Sequence, residues 1–245
     1  MTPQAHPPDG LPFRPAALTF FRQLARNNDR GWFAEHRATW ETEVRGPLRD
    51  LVEELDVRLA AIAPELVGDP RRSIFRIHRD VRFSRDKSPY KTNAGCWWYH
   101  MDAGKGVGQD ANRAGAGFYF HLSATEWFSA GGIWMPARPV LARVREALAE
   151  DPDGFGEIVL DARFKRRFGP LAEGAMLKRL PRGYPPGHPA ERWLRYKSFT
   201  VSRRLTRTNV LNPRLADILA RDVEVLRPFL RWLNRAAGYR AYDRR

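Results

Sequence analysis

The chain has 245 residues, of which 43% are hydrophobic and 12% aromatic, enough to bury a core and to exclude extensive intrinsic disorder. Its 42 basic side chains outnumber 28 acidic ones, for a formal charge of +14, so an anionic partner is the first class to consider. One cysteine, Cys96, excludes an internal disulfide and any multi-cysteine metal centre and fits a reducing compartment. With no apolar leader and no apolar run near the length of about 18 residues that a membrane span needs, the expectation is a cytoplasmic protein without a membrane partner.

Residues 1–15 hold five prolines and no apolar period, and are expected to form a flexible arm that packs little. A short helix is predicted from Leu18 to Arg26. A second one follows, capped by Asn28 or Asp29, with Trp32, Phe33, His36 and Trp40 on neighbouring turns. Gly46-Pro47 is expected to break and restart the helix, and Leu51, Val52, Leu55, Leu59 and Ile62 then fall at helical spacing.

After Pro70 the period becomes two. Phe75, Ile77, Val81 and Phe83 are assigned to one face of a strand and Arg76, His78, Asp80 and Arg82 to the other. A strand from Asn93 to His100, a polar mobile loop over 102–114 and two paired strands in GAGFYFHLS and TEWFSAGGIWMP come next. Pro139 opens a helix carrying Val140, Val144 and Leu148. The basic RFKRRF, a proline-rich stretch and a strand YKSFTVS lead to a last helix after Asn212-Pro213, which Pro228 is expected to kink or split. The order implies one α+β domain over 16–235, a mainly antiparallel sheet flanked by N-terminal and C-terminal helices, followed by a basic tail at 236–245.

The charge is segregated. Residues 71–100 carry 8 basic against 2 acidic groups and residues 161–245 carry 21 against 7, while each remaining block is net acidic. The carboxy-terminal excess reads as solvated faces or composition bias as readily as a binding surface. The densest cluster is RIHRDVRFSRDKSPYK at 76–91. On a strand its outward side chains form a row with steps of roughly 7 Å, and the following turn brings Arg85, Lys87 and Lys91 toward the same opening. Arg76, Arg79, Arg82, Lys87 and Lys91 are therefore the candidate ligand-binding residues, for an anionic small molecule or a phosphate-bearing ligand.

A carboxylate among arginines is a weak base, so Asp80 and Asp86 are assigned the orienting of guanidinium groups. Lys87, Tyr90 and His78 remain as the candidate catalytic groups. Three readings stay open: an anion-binding protein, a hydrolase or transferase acting on a phosphate-bearing or acidic substrate, and a purely structural cluster. Nucleic acid is an alternative partner, held through backbone and shape, since no base-reading motif occurs.

Other patterns carry less. GKGVG at 104–108 lacks a phosphate-loop signature. His78, His100 and His121 lie on separate segments without a metal-ligand spacing, so neither metal nor cofactor is expected. Cys96 and Trp32, Trp40, Trp97, Trp98, Trp127 and Trp134 read as core, with one or two tryptophans available to line a pocket or stack a base. The sequence leaves the oligomeric state unspecified.

Arg76, Arg79, Asp80, Arg82, Phe83, Asp86, Lys87 and Tyr90 spell RxxRDxRFxxDKxxY, which resembles the signature of the bacterial and fungal proteins grouped as domain of unknown function 2461. LARNNDRGWF at 24–33, AGGIWMP at 130–136, LARVREAL and LKRLPRGY…HP at 177–189 agree with it, over about residues 16–235. The resemblance implies a family but no established activity to transfer.

Overall fold

The computed structural model of the protein describes residues 12–82, 84–103, 114–174 and 176–242. Helix α1 (Pro15–Arg26) starts three residues before the predicted position because Pro15 supplies a helix-ready φ at the first turn. Phe13, expected in the loose arm, is fully buried and stacks on Phe120 with ring centroids 5.9 Å apart. Asp29 caps α2 (Arg30–Glu35) by accepting from the Trp32 amide at 2.9 Å. A three-residue turn, α3 (Arg37–Thr39), runs into a π-helical stretch, Trp40–Arg45, and then into α4 (Gly46–Ile62). Gly46-Pro47 thus continues the helical path instead of breaking it.

Strands β1 (Leu66–Val67), β2 (Asn93–His100), β3 (Gly117–Ser123), β4 (Trp127–Ile133) and β5 (Phe199–Arg204) form one antiparallel sheet in that spatial order. Between β4 and β5 come α5 (Arg138–Glu150), α6 (Pro152–Leu160), α7 (Ala162–Phe168) and α8 (Glu191–Leu194); after β5 come α9 (Arg207–Val210) and α10 (Leu215–Ala236). The fold is α+β with helices at both ends of a central sheet. Among the described residues no helix is long and apolar enough to cross a membrane.

Period-two alternation sorts the sheet into two faces. Cys96 pairs with Phe120 and Phe120 with Ser129, while Trp98 pairs with Phe118 and Phe118 with Gly131; this face meets α4 and α10. Gly131 allows α10 close, since a Cβ there would lie 2.7 Å from Leu226 Cδ1. Pro228 neither splits nor ends α10. It lies on the exposed side, where the carbonyl that lost its amide partner can bond to water.

The opposite face of the sheet carries Trp97 paired with Tyr119, and Tyr119 with Ala130, which in turn pairs with Ser202. Among the described residues, an open hollow and not a helix lies over it. Its aromatic side chains make these strands apolar on both sides, and that second apolar side is what shapes the candidate site.

Candidate functional site

The strand predicted from Phe75 to Phe83 does not form. Ser73 and Phe75 bond to the edge of β2, with Trp97 N donating to Ser73 O at 3.0 Å and Phe75 N to Gly95 O at 3.0 Å. The chain then leaves the sheet and folds back on itself: Arg79 N donates to Pro89 O at 2.9 Å and Lys91 N to Ile77 O at 2.8 Å. Only Ile74 and His78 make single bridges, to Cys96 and Tyr90. The alternation from Phe75 to Phe83 is that of a strand, but a segment that pairs first with one neighbour and then with another does not keep all its odd residues on one face. Phe83 lies outside the described residues.

The consequence is that the arginine row divides. Arg76 and His78 face a hollow on the side of the N-terminal helices. Arg79 and Lys91 face a second hollow above the sheet. Arg82 points outward in a two-pronged pair with Asp80, Nε to Oδ1 at 3.0 Å and Nη2 to Oδ2 at 2.7 Å. This pairing and the Arg82 amide hold the Asp80 carboxyl down at about 2. Lys87 donates from Nζ to Val81 O at 2.9 Å and lines neither hollow; Arg85 and Lys87 are exposed.

Tyr90 is buried, its ring stacked on Phe33 at 4.1 Å and 5.2 Å from that of His78. The Asn28 side chain clamps its backbone, donating to Tyr90 O at 3.0 Å and accepting from Tyr90 N at 3.1 Å. That is the role of Asn28 here, since Asp29 supplies the helix cap.

Asp86 organises the turn. Its Oδ1 accepts from Ser88 Oγ at 2.6 Å and Ser88 N at 2.9 Å, and its Oδ2 from Arg79 Nη1. The Ser88 bonds foremost, then the Arg79 charge, keep this carboxyl below its ordinary range. Arg79 also donates to Tyr90 O at 3.5 Å. Its Nε is buried and has no hydrogen-bond partner among the described residues.

The hollow above the sheet has a volume of about 780 Å³. Its floor is the outward face of the strands: Gly95, Trp97 and Tyr99 from β2, Tyr119 from β3, Phe128 and Ala130 from β4. Gly95 lets the Tyr119 ring lie flat over β2, because a Cβ there would stand 2.4 Å from the Tyr119 hydroxyl. Thr200 and Ser202 of β5 add hydroxyls at one side. Phe75 meets Tyr119 edge-on at 5.8 Å and closes one wall. At another wall Trp134 and Met135 stand 68% and 53% exposed. Met135 has φ of 47°, a left-handed conformation unusual for a side-chain-bearing residue, and its amide is fixed by Ser198 Oγ at 2.9 Å.

The electrostatics of the hollow follow from burial. Desolvation, then the Arg76 and Arg79 charges, push the Lys91 ammonium below its ordinary value. Desolvation likewise pushes the Tyr119 phenol up and the His121 imidazole down. Tyr119 Oη lies 3.1 Å from His121 Nδ1. An anion beside Lys91 and Arg79 would relieve the repulsion they now exert on each other.

Most of this floor is not marked as a site by any sequence motif. Trp97 lines the hollow and Trp134 stands at its mouth, whereas Trp40 and Trp98 are core as expected. The available signal was that β2 and β3 place aromatics at odd and even positions alike, so both faces are apolar while only one is covered by helices. Cys96 is buried, and burial raises its thiol well above the ordinary value. His100 is buried with Nε2 2.8 Å from Arg240 O, and no group of three or more potential metal ligands converges among the described residues. The loop expected to be mobile at 102–114 lies largely outside the described residues, as does GKGVG at 104–108.

The model of a family described as conserved hypothetical protein (DUF2461) matches residues 16–232, and the chain belongs to that family. No curated protein and no solved structure matches it.

Proposed function

We propose that the protein binds a small organic anion whose aromatic or apolar body lies on the open face of the sheet and whose carboxylate or phosphate is held by Arg79 and Lys91. The observation that carries this reading is the pairing of an aromatic floor with two cations at one end of the same hollow. Small-molecule sites combine an apolar lining with a few convergent polar groups in this way. Asp86 positions the Arg79 fork and leaves its buried Nε without a partner, while the desolvated Lys91 lacks a carboxylate within ion-pair reach among the described residues. Each charge-assisted hydrogen bond to a guest would contribute about 1.5–3 kcal/mol.

Titration with the aromatic sulfonate anilinonaphthalene sulfonate tests it by fluorescence. One saturable site is expected. Ala130→Trp, which fills the floor, should abolish binding, and Arg79→Ala or Lys91→Ala should each weaken it roughly tenfold. Undiminished binding in all three folded variants would sink the reading.

A structural role for the same cluster has its own support in the bonds that Asp86 makes to Ser88 and Arg79. Asp86→Ala separates the two. Loss of the fold favours the architectural role, and a folded protein with weakened probe binding favours positioning of Arg79.

A further inference from the structure

The second hollow lies on the other side of Phe75, which forms part of the wall of both. It has a volume of about 620 Å³ and sits between the N-terminal helices and the 70–78 segment. Five arginines line it: Arg30 from α2, Arg37 from α3, Arg45 from the π-helical stretch, and Arg71 and Arg76 from the segment opposite. The one carboxylate in the lining, Glu41, is already held by Arg45, with Nη1 at 2.9 Å and 3.1 Å from its two oxygens. Arg30, Arg37, Arg71 and Arg76 have no ion pair among the described residues.

Five positive charges thus share a concave space with one carboxylate among its described lining residues, and the Glu41 pair and the more distant Asp80 charge offset only part of their repulsion. The floor is aromatic: Phe33 stacks on Tyr90, and the Trp40 ring lies 6.4 Å from that of Phe33. The π-helical stretch that contributes Trp40, Glu41 and Arg45 is rare geometry that occurs frequently at functional sites.

We infer that this cleft binds a small polyanion bearing two or more phosphate groups, independently of the site on the sheet. A monovalent carboxylate would leave most of the excess charge unneutralised, whereas linked phosphates offer several oxygens to forks that approach from two sides. The arginines surround a hollow instead of following a stripe across the surface, which suits a compact guest better than an extended nucleic-acid strand.

Isothermal titration calorimetry with tripolyphosphate, orthophosphate and an oligothymidine tests this. The expected result is one tripolyphosphate per chain, bound roughly tenfold or more tighter than orthophosphate, and weakened roughly tenfold or more in Arg37→Gln/Arg71→Gln. The exposed pair Arg166→Gln/Arg235→Gln should bind as wild type does. These are surface side chains, so circular dichroism should show every variant folded. Equal affinity in the two double variants, or several tripolyphosphates per chain, overturns the inference. It is overturned as well if oligothymidine binds more tightly than tripolyphosphate through the same arginines, which would make the cleft a nucleic-acid surface.

Discussion

Arginines near Asp222 and arginines near Phe75 share a side chain and little else. On the helix-covered face of the sheet, Arg167 Nε lies 2.6 Å from Asp222 Oδ1 and Arg203 Nη2 lies 2.8 Å from Oδ2, with Ser129 Oγ donating to Oδ2 at 2.7 Å. Asp222 is fully buried, so these donors complete one another and tie β4, β5 and α7 to α10. Around Phe75 the guanidinium groups of Arg30, Arg37, Arg71 and Arg76 face one open hollow without ion-paired carboxylate partners among the described residues. A charge that is paired and desolvated maintains a fold, and one left unpaired at a concavity is available to a guest. The carboxy-terminal third holds more basic groups, yet Arg167, Arg195, Arg203 and Arg231 all have acidic partners.

The strongest way to break this contrast is Asp222→Ala. It removes the buried carboxylate on which the partly exposed Arg167 and Arg203 converge and should cost about 3–5 kcal/mol in urea unfolding. Stability equal to wild type would remove the structural half of the comparison. Tryptophans sharpen it next. Trp98 is fully buried with Nε1 3.4 Å from Val52 O, so Trp98→Ala should cost about 3–5 kcal/mol. Trp134→Ala should change stability by no more than about 0.5 kcal/mol while measurably weakening anilinonaphthalene sulfonate binding. If Trp134→Ala unfolds the protein instead, that wall belongs to the core.

The smallest effect concerns Asp80. Its folded value, about 2, lies below the ordinary carboxylate value of 3.8. Its contribution to stability is therefore complete above the unfolded value and is lost as pH falls from there through about 2. Carboxyl NMR titration should place its midpoint near the lower figure at low salt and move it upward as salt screens the exposed Arg82 pair. A midpoint at the ordinary carboxylate value would mean that the two side chains are not held together in solution.

Legibility followed the reach of the forces involved. Leu51, Val52, Leu55 and Leu59 announce α4, and the alternation in β3 announces its buried Phe118, Phe120 and Leu122, because each pattern is a local consequence of burying one face. The 75–83 segment misled the same logic. Its alternation is real, but its partners change from β2 to residues 89–91, a non-local fact that no window of sequence contains. Of the two cap candidates, Asp29 caps α2, whereas Asn28 holds Tyr90, 62 positions away, a contact no local pattern encodes.

From its residues alone the chain determined an α+β fold, the identity of most of its helices and strands, and a concentration of positive charge between 71 and 100. Those follow from periodicity and composition, which are written along the backbone. Tertiary structure decided which cations meet carboxylates, which face of the sheet stays uncovered, and that the arginine row opens onto two hollows. Such outcomes depend on distances between segments far apart in sequence, and at a few ångströms the presence or absence of a partner decides whether a guanidinium stabilises the fold or remains available to a ligand.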